Sequence, residues 1–210
     1  MITVLTLSAL LVVGWFAVGT IWNVRKGSAV MAWMHGGLPL MGERTTVRWL
    51  GSNTVEMVIQ HANPPFERVA VVVFLEPRDV PWMWALSRRH GRRDTLIVRG
   101  SLRAAPRNDL EVLDPTSWSG RDALRRLASE DWLVRDATSP GGLAVYHKTP
   151  AALVLGDALI ERAAGAGVTL RRLSLRRSER AFQLHIQLPS KTASAGDLFR
   201  AIHALADNAA

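Results

Sequence analysis

Residues 95–103 read TLIVRGSLR, and this stretch decides the fold because it returns further along the chain. At an offset of 73 positions, Arg99-Gly-Ser-Leu-Arg103 falls on Arg172-Leu-Ser-Leu-Arg176. Working outward at the same offset, Pro77 falls on Pro150 and Ala85-Leu86 on Ala158-Leu159. At 74, Pro115 meets Pro189; at 75, Asp122 meets Asp197, Leu124 meets Phe199 and Leu127 meets Ile202. Two one-residue loop insertions account for the drift, and landmarks recurring in order are the mark of a tandem repeat.

The elements inside each unit agree. TVEMVIQH (54–61) and VAVVVFLE (69–76) are β-branched runs bounded by Asn-Pro-Pro and Pro77, and read as strands. Residues 80–90 read as a helix with Asp79 as N-cap, Pro81 in the first turn and Gly91 as its end. TLIVRGSLR (95–103) is expected to pair with DLEVLD (109–114), before a helix from Ser119 to about Ser129. In the second unit, 132–138 and 142–148 form a hairpin, a helix covers 151–164, 169–177 pairs with 181–188, and a last helix covers 195–207. Each unit is ββαββα, with an extra strand at 45–51. From 69–76 to 132–138 the order is βαββαβ, which resembles the ferredoxin-like split βαβ fold in element order alone. The second copy lacks a sixth strand, a place that 45–51 could fill. Such a fold hosts many unrelated activities and implies none of them.

The N-terminus is a different kind of segment. From Met1 to Val24 there is no charged side chain, and Thr3–Trp22 reads TVLTLSALLVVGWFAVGTIW. As a helix it spans roughly 30 Å, the thickness of a bilayer core. No basic residue precedes it and no A-x-A pattern follows Thr20, so it reads as an uncleaved single-pass anchor rather than a signal peptide. Arg25 and Lys26 follow at once, which places the N-terminus outside and residues 25–210 in the cytoplasm, at the cell membrane. Residues 28–41 stay apolar, and either touch lipid or a partner helix, or pack on the domain; Gly36, Gly37 and Pro39 should end any helix there. The expected organisation is anchor 1–24, juxtamembrane segment 25–42, first α+β repeat 43–130 and second repeat 131–210.

Composition narrows the function. The 210 residues include no cysteine, which excludes disulfides, thiol nucleophiles and cysteine-ligated metals. The net charge is +8, and of 26 basic residues only Lys26, Lys148 and Lys191 are lysine. Arginine forks onto phosphate and carboxylate oxygens, although a GC-rich coding bias gives the same ratio. Residues two apart in a strand share a face, so Arg99, Ser101 and Arg103, and likewise Arg172, Ser174 and Arg176, are candidates for an anion-binding surface. The alternative is a solvated sheet face. These strands carry no stacking aromatics, which argues against nucleic acid.

Trp82 and Trp84 followed by Arg88, Arg89, Arg92 and Arg93 resemble a membrane-interface segment, and Trp22, Arg25, Lys26 and Trp33 are candidates for the same role. On a helix Trp82 and Trp84 fall on different faces, so at least one is expected in the core. The six histidines show no metal-ligand spacing, although His147 and His185 could meet across the second sheet. No nucleophile elbow or phosphate-binding glycine loop appears. The reading is a non-catalytic, membrane-tethered binding or scaffold module without cofactor or metal, partnered by another membrane protein. The alternatives are a sensor of an anionic metabolite or lipid head group, and an enzyme of unrecognised chemistry.

Overall fold

The structure, a computed structural model, describes residues 2–136, 142–188 and 194–209. Helix α1, Ile2–His35, is 34 residues long, roughly 51 Å at 1.5 Å per residue. It is longer than the span read from the sequence, running through Arg25 and Lys26 and stopping at Gly36 as expected. A 3-10 turn, Leu38–Leu40, follows. Met34, Leu38 and Met41 are buried in the domain core, so the end of the 28–41 segment packs on the domain.

The remaining elements fall within a few residues of their expected positions. The strands are β1 (Gly42–Trp49), β2 (Thr54–Ala62), β3 (Phe66–Phe74), β4 (Thr95–Leu102), β5 (Leu110–Leu113), β6 (Leu133–Arg135), β7 (Ala144–His147), β8 (Leu170–Arg176) and β9 (Ala181–Gln187). The helices are α2 (Pro81–Arg89), α3 (Trp118–Leu127), α4 (Pro150–Gly165) and α5 (Ala195–Ala209). The turn expected to join 132–138 to 142–148 lies in part outside the described residues, but β6 and β7 do pair.

All nine strands form one antiparallel sheet in the order β1-β2-β3-β4-β9-β8-β5-β7-β6. The expected pairing of 95–103 with 109–114 is not made, because β9 and β8 lie between β4 and β5. Strand β9 pairs with β4 at seven positions from Thr95↔Gln187 to Ser101↔Ala181 and sets the core residues Ile186 and Leu184 beside Leu96 and Val98, while β5 pairs with β8 and β7. Strand 45–51 does not complete a second unit either; β1 pairs with β2 and forms a sheet edge. Strands β3 and β4 are antiparallel neighbours, while β7 and β8 flank β5 and run parallel to each other. Strands from both halves of the chain are thus interleaved in one sheet; the β2–β3 and β6–β7 pairs are equivalent, but β3 then pairs with β4 whereas β7 pairs with β5.

One sheet face carries Val55, Val71, Val98, Leu173 and Leu184 against α4, α5 and the end of α1. Phe199 and Ile202 of α5 close this core; each such side chain contributes about 1.5–3 kcal/mol of burial. On the other face a smaller cluster, Leu113, Ala123, Leu127 and Ala144, seats α3. Ser117 caps α3 by accepting from Gly120 N at 3.0 Å, two residues before the expected start at Ser119. Asp79 does not cap α2: the N-cap is Val80, and Asp79 accepts from Ser52 Oγ at 2.6 Å. His147 and His185 do not meet, since His147 is level with Leu110 on the main-core face and His185 with Arg172 on the α3 face.

Candidate functional site

The second half of α1 is fastened to the loop before α2. Trp15, Gly19, Asn23 and Gly27 recur every four residues, so they form one stripe. Trp15 Nε1 donates to Arg78 O at 2.9 Å. At Gly19 the helix lies against the Arg78–Asp79 backbone so closely that any Cβ would overlap the Arg78 carbonyl. Asn23, fully buried, donates to Glu76 O at 3.1 Å and accepts from Arg78 Nη1 at 3.2 Å. Gly27 lies under the Trp49 ring, where a Cβ would come within 2.5 Å of Cη2.

Asp94 ties this stem to the sheet. It accepts from Arg78 Nη1 and Nη2 at 3.1 and 2.8 Å, from Glu76 N at 2.7 Å, and from Lys26 Nζ. Burial by itself raises its pKa, but the bonds from Arg78, Lys26 and the Glu76 N–H outweigh it and hold the carboxyl below the usual Asp range. Glu76 Oε2 accepts from Trp84 Nε1 at 2.6 Å and lies 3.9 Å from Arg88 Nε. Lys26 is thus an ion-pair partner of the domain, while Arg25 and Trp22 stay exposed and Trp33 is partly buried against the core.

Helix α2 has no buried residue. Trp84 and Ser87, both half-buried, face the domain, and the Trp84 ring lies 6.4 Å from that of Trp15. Trp82, Met83 and Leu86 are 63%, 48% and 57% exposed, and at 100° per residue they share an arc of roughly 100° opposite Trp84. The two tryptophans do split over two faces, but neither enters the core. Arg88 lies over the Trp84 ring at 5.5 Å and Arg92 over Trp118, itself exposed, at 5.2 Å. Arg89 and Arg93 are exposed. Among the described residues no carboxylate pairs with Arg89, Arg92 or Arg93.

The two arginine strands meet on one face of the sheet with β9 between them. Arg99, Gln183 and Ser174 are in register, as are Ser101, Ala181 and Arg176. They differ in exposure. Arg99, Ser101 and Arg103 are exposed, and Arg103 donates to Phe66 O and Ala62 O. Arg172 and Ser174 lie buried on the face that carries α3, so they do not form the solvated outer row expected of that strand. Arg172 Nε donates to the fully buried Glu111, and Arg176 pairs with Glu130 at 3.0 Å and stacks on Trp132. Among the described residues Glu111 Oε2 accepts no hydrogen bond, and it lies 3.8 Å from Arg176 Nη2. His185 sits beside them, its Nε2 2.7 Å from Gln183 Nε2 and its Nδ1 without a partner among the described residues. Burial, with Arg172 and Arg99 nearby, pushes its pKa down to about 3, so the imidazole is neutral.

A cavity of about 30 Å³ near Arg92, Arg93, Ser117 and Arg171 is of water size. An open groove of about 870 Å³ runs between the end of α1 and β1, lined by Met31, His35, Leu38, Glu43, Val47 and Met57. Among the described residues no group of three or more His, Asp or Glu side chains is placed to hold a metal ion.

Trp82, Trp84 and the arginines around them stand out in the sequence, whereas nothing there marks Trp15, Gly19, Asn23, Arg78 and Asp94 as one joint. Part of the signal is present: a small-or-polar residue every fourth position inside an otherwise apolar helix marks a close helix contact. Nothing local names the surface it contacts. No family model matches this chain, and no curated protein matches it in sequence.

Proposed function

We propose that this chain is a membrane-tethered binding or scaffold module without chemistry of its own, anchored at the cell membrane by α1, with its N-terminus outside and its sheet domain in the cytoplasm. The observation that carries the reading is the continuity of α1. The apolar helix does not hand over to a linker; its second half is clamped to the domain through Asn23, Lys26 and Gly27. A domain so mounted holds a fixed height and orientation, which suits presentation of a surface to a partner in the same membrane. Residues 2–18 of α1 are exposed, and we assign that stretch to lipid and to a partner helix. The basic residues beyond the span, Arg25 and Lys26 first, favour a cytoplasmic domain. The repeated ββαββα order is what we retain of the tandem-duplication reading; of the ferredoxin-like arrangement we retain only the split β7-α4-β8 unit of the second half, whose two strands run parallel on either side of β5.

The test uses the absence of cysteine from the chain. Single-cysteine variants Ile2→Cys and Ser178→Cys are probed on intact cells with a membrane-impermeant maleimide. Labelling of residue 2 alone is the expected result. Release of the chain by alkaline carbonate, or labelling of residue 178 before lysis, overturns it. A photo-crosslinking residue at Leu7 or Leu11 then gives a discrete protein adduct if a partner helix lies there.

A second reading rests on Arg99, Ser101 and Arg176 sharing one face. There the open side of β4 and β9 binds an anionic metabolite or head group, and binding is lost with Arg99→Ala while the fold is kept.

A further inference from the structure

The height of α2 relative to α1 carries a consequence for the membrane. The apolar span Thr3–Trp22 includes Trp15 and Gly19, and both touch the loop that leads into α2. Trp22 is seven residues beyond Trp15, roughly 10 Å along the helix axis. With Trp22 at the bilayer surface, the Arg78–Asp79 loop that opens α2 lies roughly 5–10 Å beneath it. Interfacial helices bury their apolar face about 5–10 Å into the head-group and acyl boundary, which is the same depth.

The side chains of α2 fit that level. Trp82, Met83 and Leu86 point away from the domain on one face, and no element of the described chain covers them. Left in water they form an apolar patch that a soluble surface would avoid. Arg89, Arg92 and Arg93 lack carboxylate partners among the described residues, and follow at the polar end of the helix. Trp118 with Arg92 stacked on it extends the same aromatic and basic rim.

We propose that α2 is a second, interfacial membrane contact, with Trp82, Met83 and Leu86 in the acyl boundary and Arg89, Arg92 and Arg93 on the phosphates of anionic phospholipids. This inference rests on the reading of α1 as a membrane span. It adds that the domain sits flush on the bilayer, held by α1 on one side and by α2 on the other. Continuity with α1 is what selects lipid as the occupant of the α2 face. A protein partner would have to reach it at the level where α1 itself is in lipid.

The full chain is reconstituted into phosphatidylcholine vesicles with and without phosphatidylglycerol, carrying one environment-sensitive label at Val18→Cys, Met83→Cys or Ser178→Cys. Quenching by doxyl groups on the acyl chains is compared with quenching by aqueous iodide. Labels at 18 and 83 are expected to be quenched from the lipid and shielded from iodide, and that at 178 the reverse. Shielding at 83 is expected to deepen with anionic lipid, and to fall back when Arg89→Gln and Arg93→Gln are added. Lipid quenching at 18 with iodide quenching at 83 equal to that at 178 overturns the inference and leaves the span standing. Iodide access at 18 removes the span and the inference together. Equal shielding at 83 in neutral and anionic vesicles overturns the head-group assignment.

Discussion

The indole N–H of Trp15 donates to the backbone carbonyl of Arg78 at 2.9 Å, across 63 positions of sequence. It joins an apolar helix to the loop in front of an exposed amphipathic helix. A flexible linker between α1 and the domain would leave their relative tilt free; this bond, with those of Asn23 and Lys26 further along the helix, removes that freedom.

Gly19→Ala should loosen the joint. A Cβ there overlaps the Arg78 carbonyl, and overpacking of this kind costs about 1–3 kcal/mol. Gly14→Ala meets nothing within 4 Å and should be neutral or stabilising by up to about 1 kcal/mol through helix propensity. Thermal unfolding of the two variants in one detergent separates them; equal melting temperatures would mean that α1 is not clamped.

Asp94→Asn should cost about 3 kcal/mol, because Arg78 and Lys26 lose the charge that both are turned toward. The carboxyl is held below its usual pKa, so its stabilisation is complete above the ordinary Asp range near 4 and is lost as pH falls through the lower folded value. Acid unfolding followed by circular dichroism should therefore be steeper below pH 4 in the parent chain than in Asp94→Asn.

His185 gives acid sensitivity in a different window. Its folded pKa of about 3 lies below the unfolded value near 6.5, so the unfolded chain binds the extra proton first. Stability is lost from about pH 6.5 downward and keeps falling until about pH 3, by about 2 kcal/mol between pH 7 and pH 5. His185→Leu should flatten the slope of stability against pH in that interval, whatever it does to stability at pH 7. An unchanged slope would show that the imidazole is not buried neutral.

Arg172→Ala and Arg99→Ala should differ sharply although the two residues occupy equivalent places in the repeated motif. Loss of Arg172 leaves the fully buried Glu111 without its main partner, at about 3–5 kcal/mol. Arg99 is exposed, and its loss should change stability by under about 0.5 kcal/mol. Urea denaturation reads both. Similar costs would contradict the placement of the two strands.

The sequence alone fixes the kind and approximate place of nearly every element, though not its ends: α1 runs on to His35 and β6 shrinks to three residues. Turn residues, caps and apolar periodicity act over a few positions, so Gly91 ends α2 and Gly36 stops α1 where local chemistry requires. Period-two alternation also shows that Arg99 and Ser101 share a face. Which strands are neighbours was settled by long-range packing, since β4 sets Leu96 and Val98 beside Ile186 and Leu184 of the distant β9 rather than beside β5. The tertiary structure likewise decided that α3 covers Arg172 while Arg99 stays open, because alternation says which face a side chain takes and not what lies above it. The clamp on α1 follows the same rule. Its glycines and Asn23 are visible as a spacing, but Arg78 reaches Gly19 and Asn23, and Asp94 reaches Lys26, only once the sheet carries them to the helix.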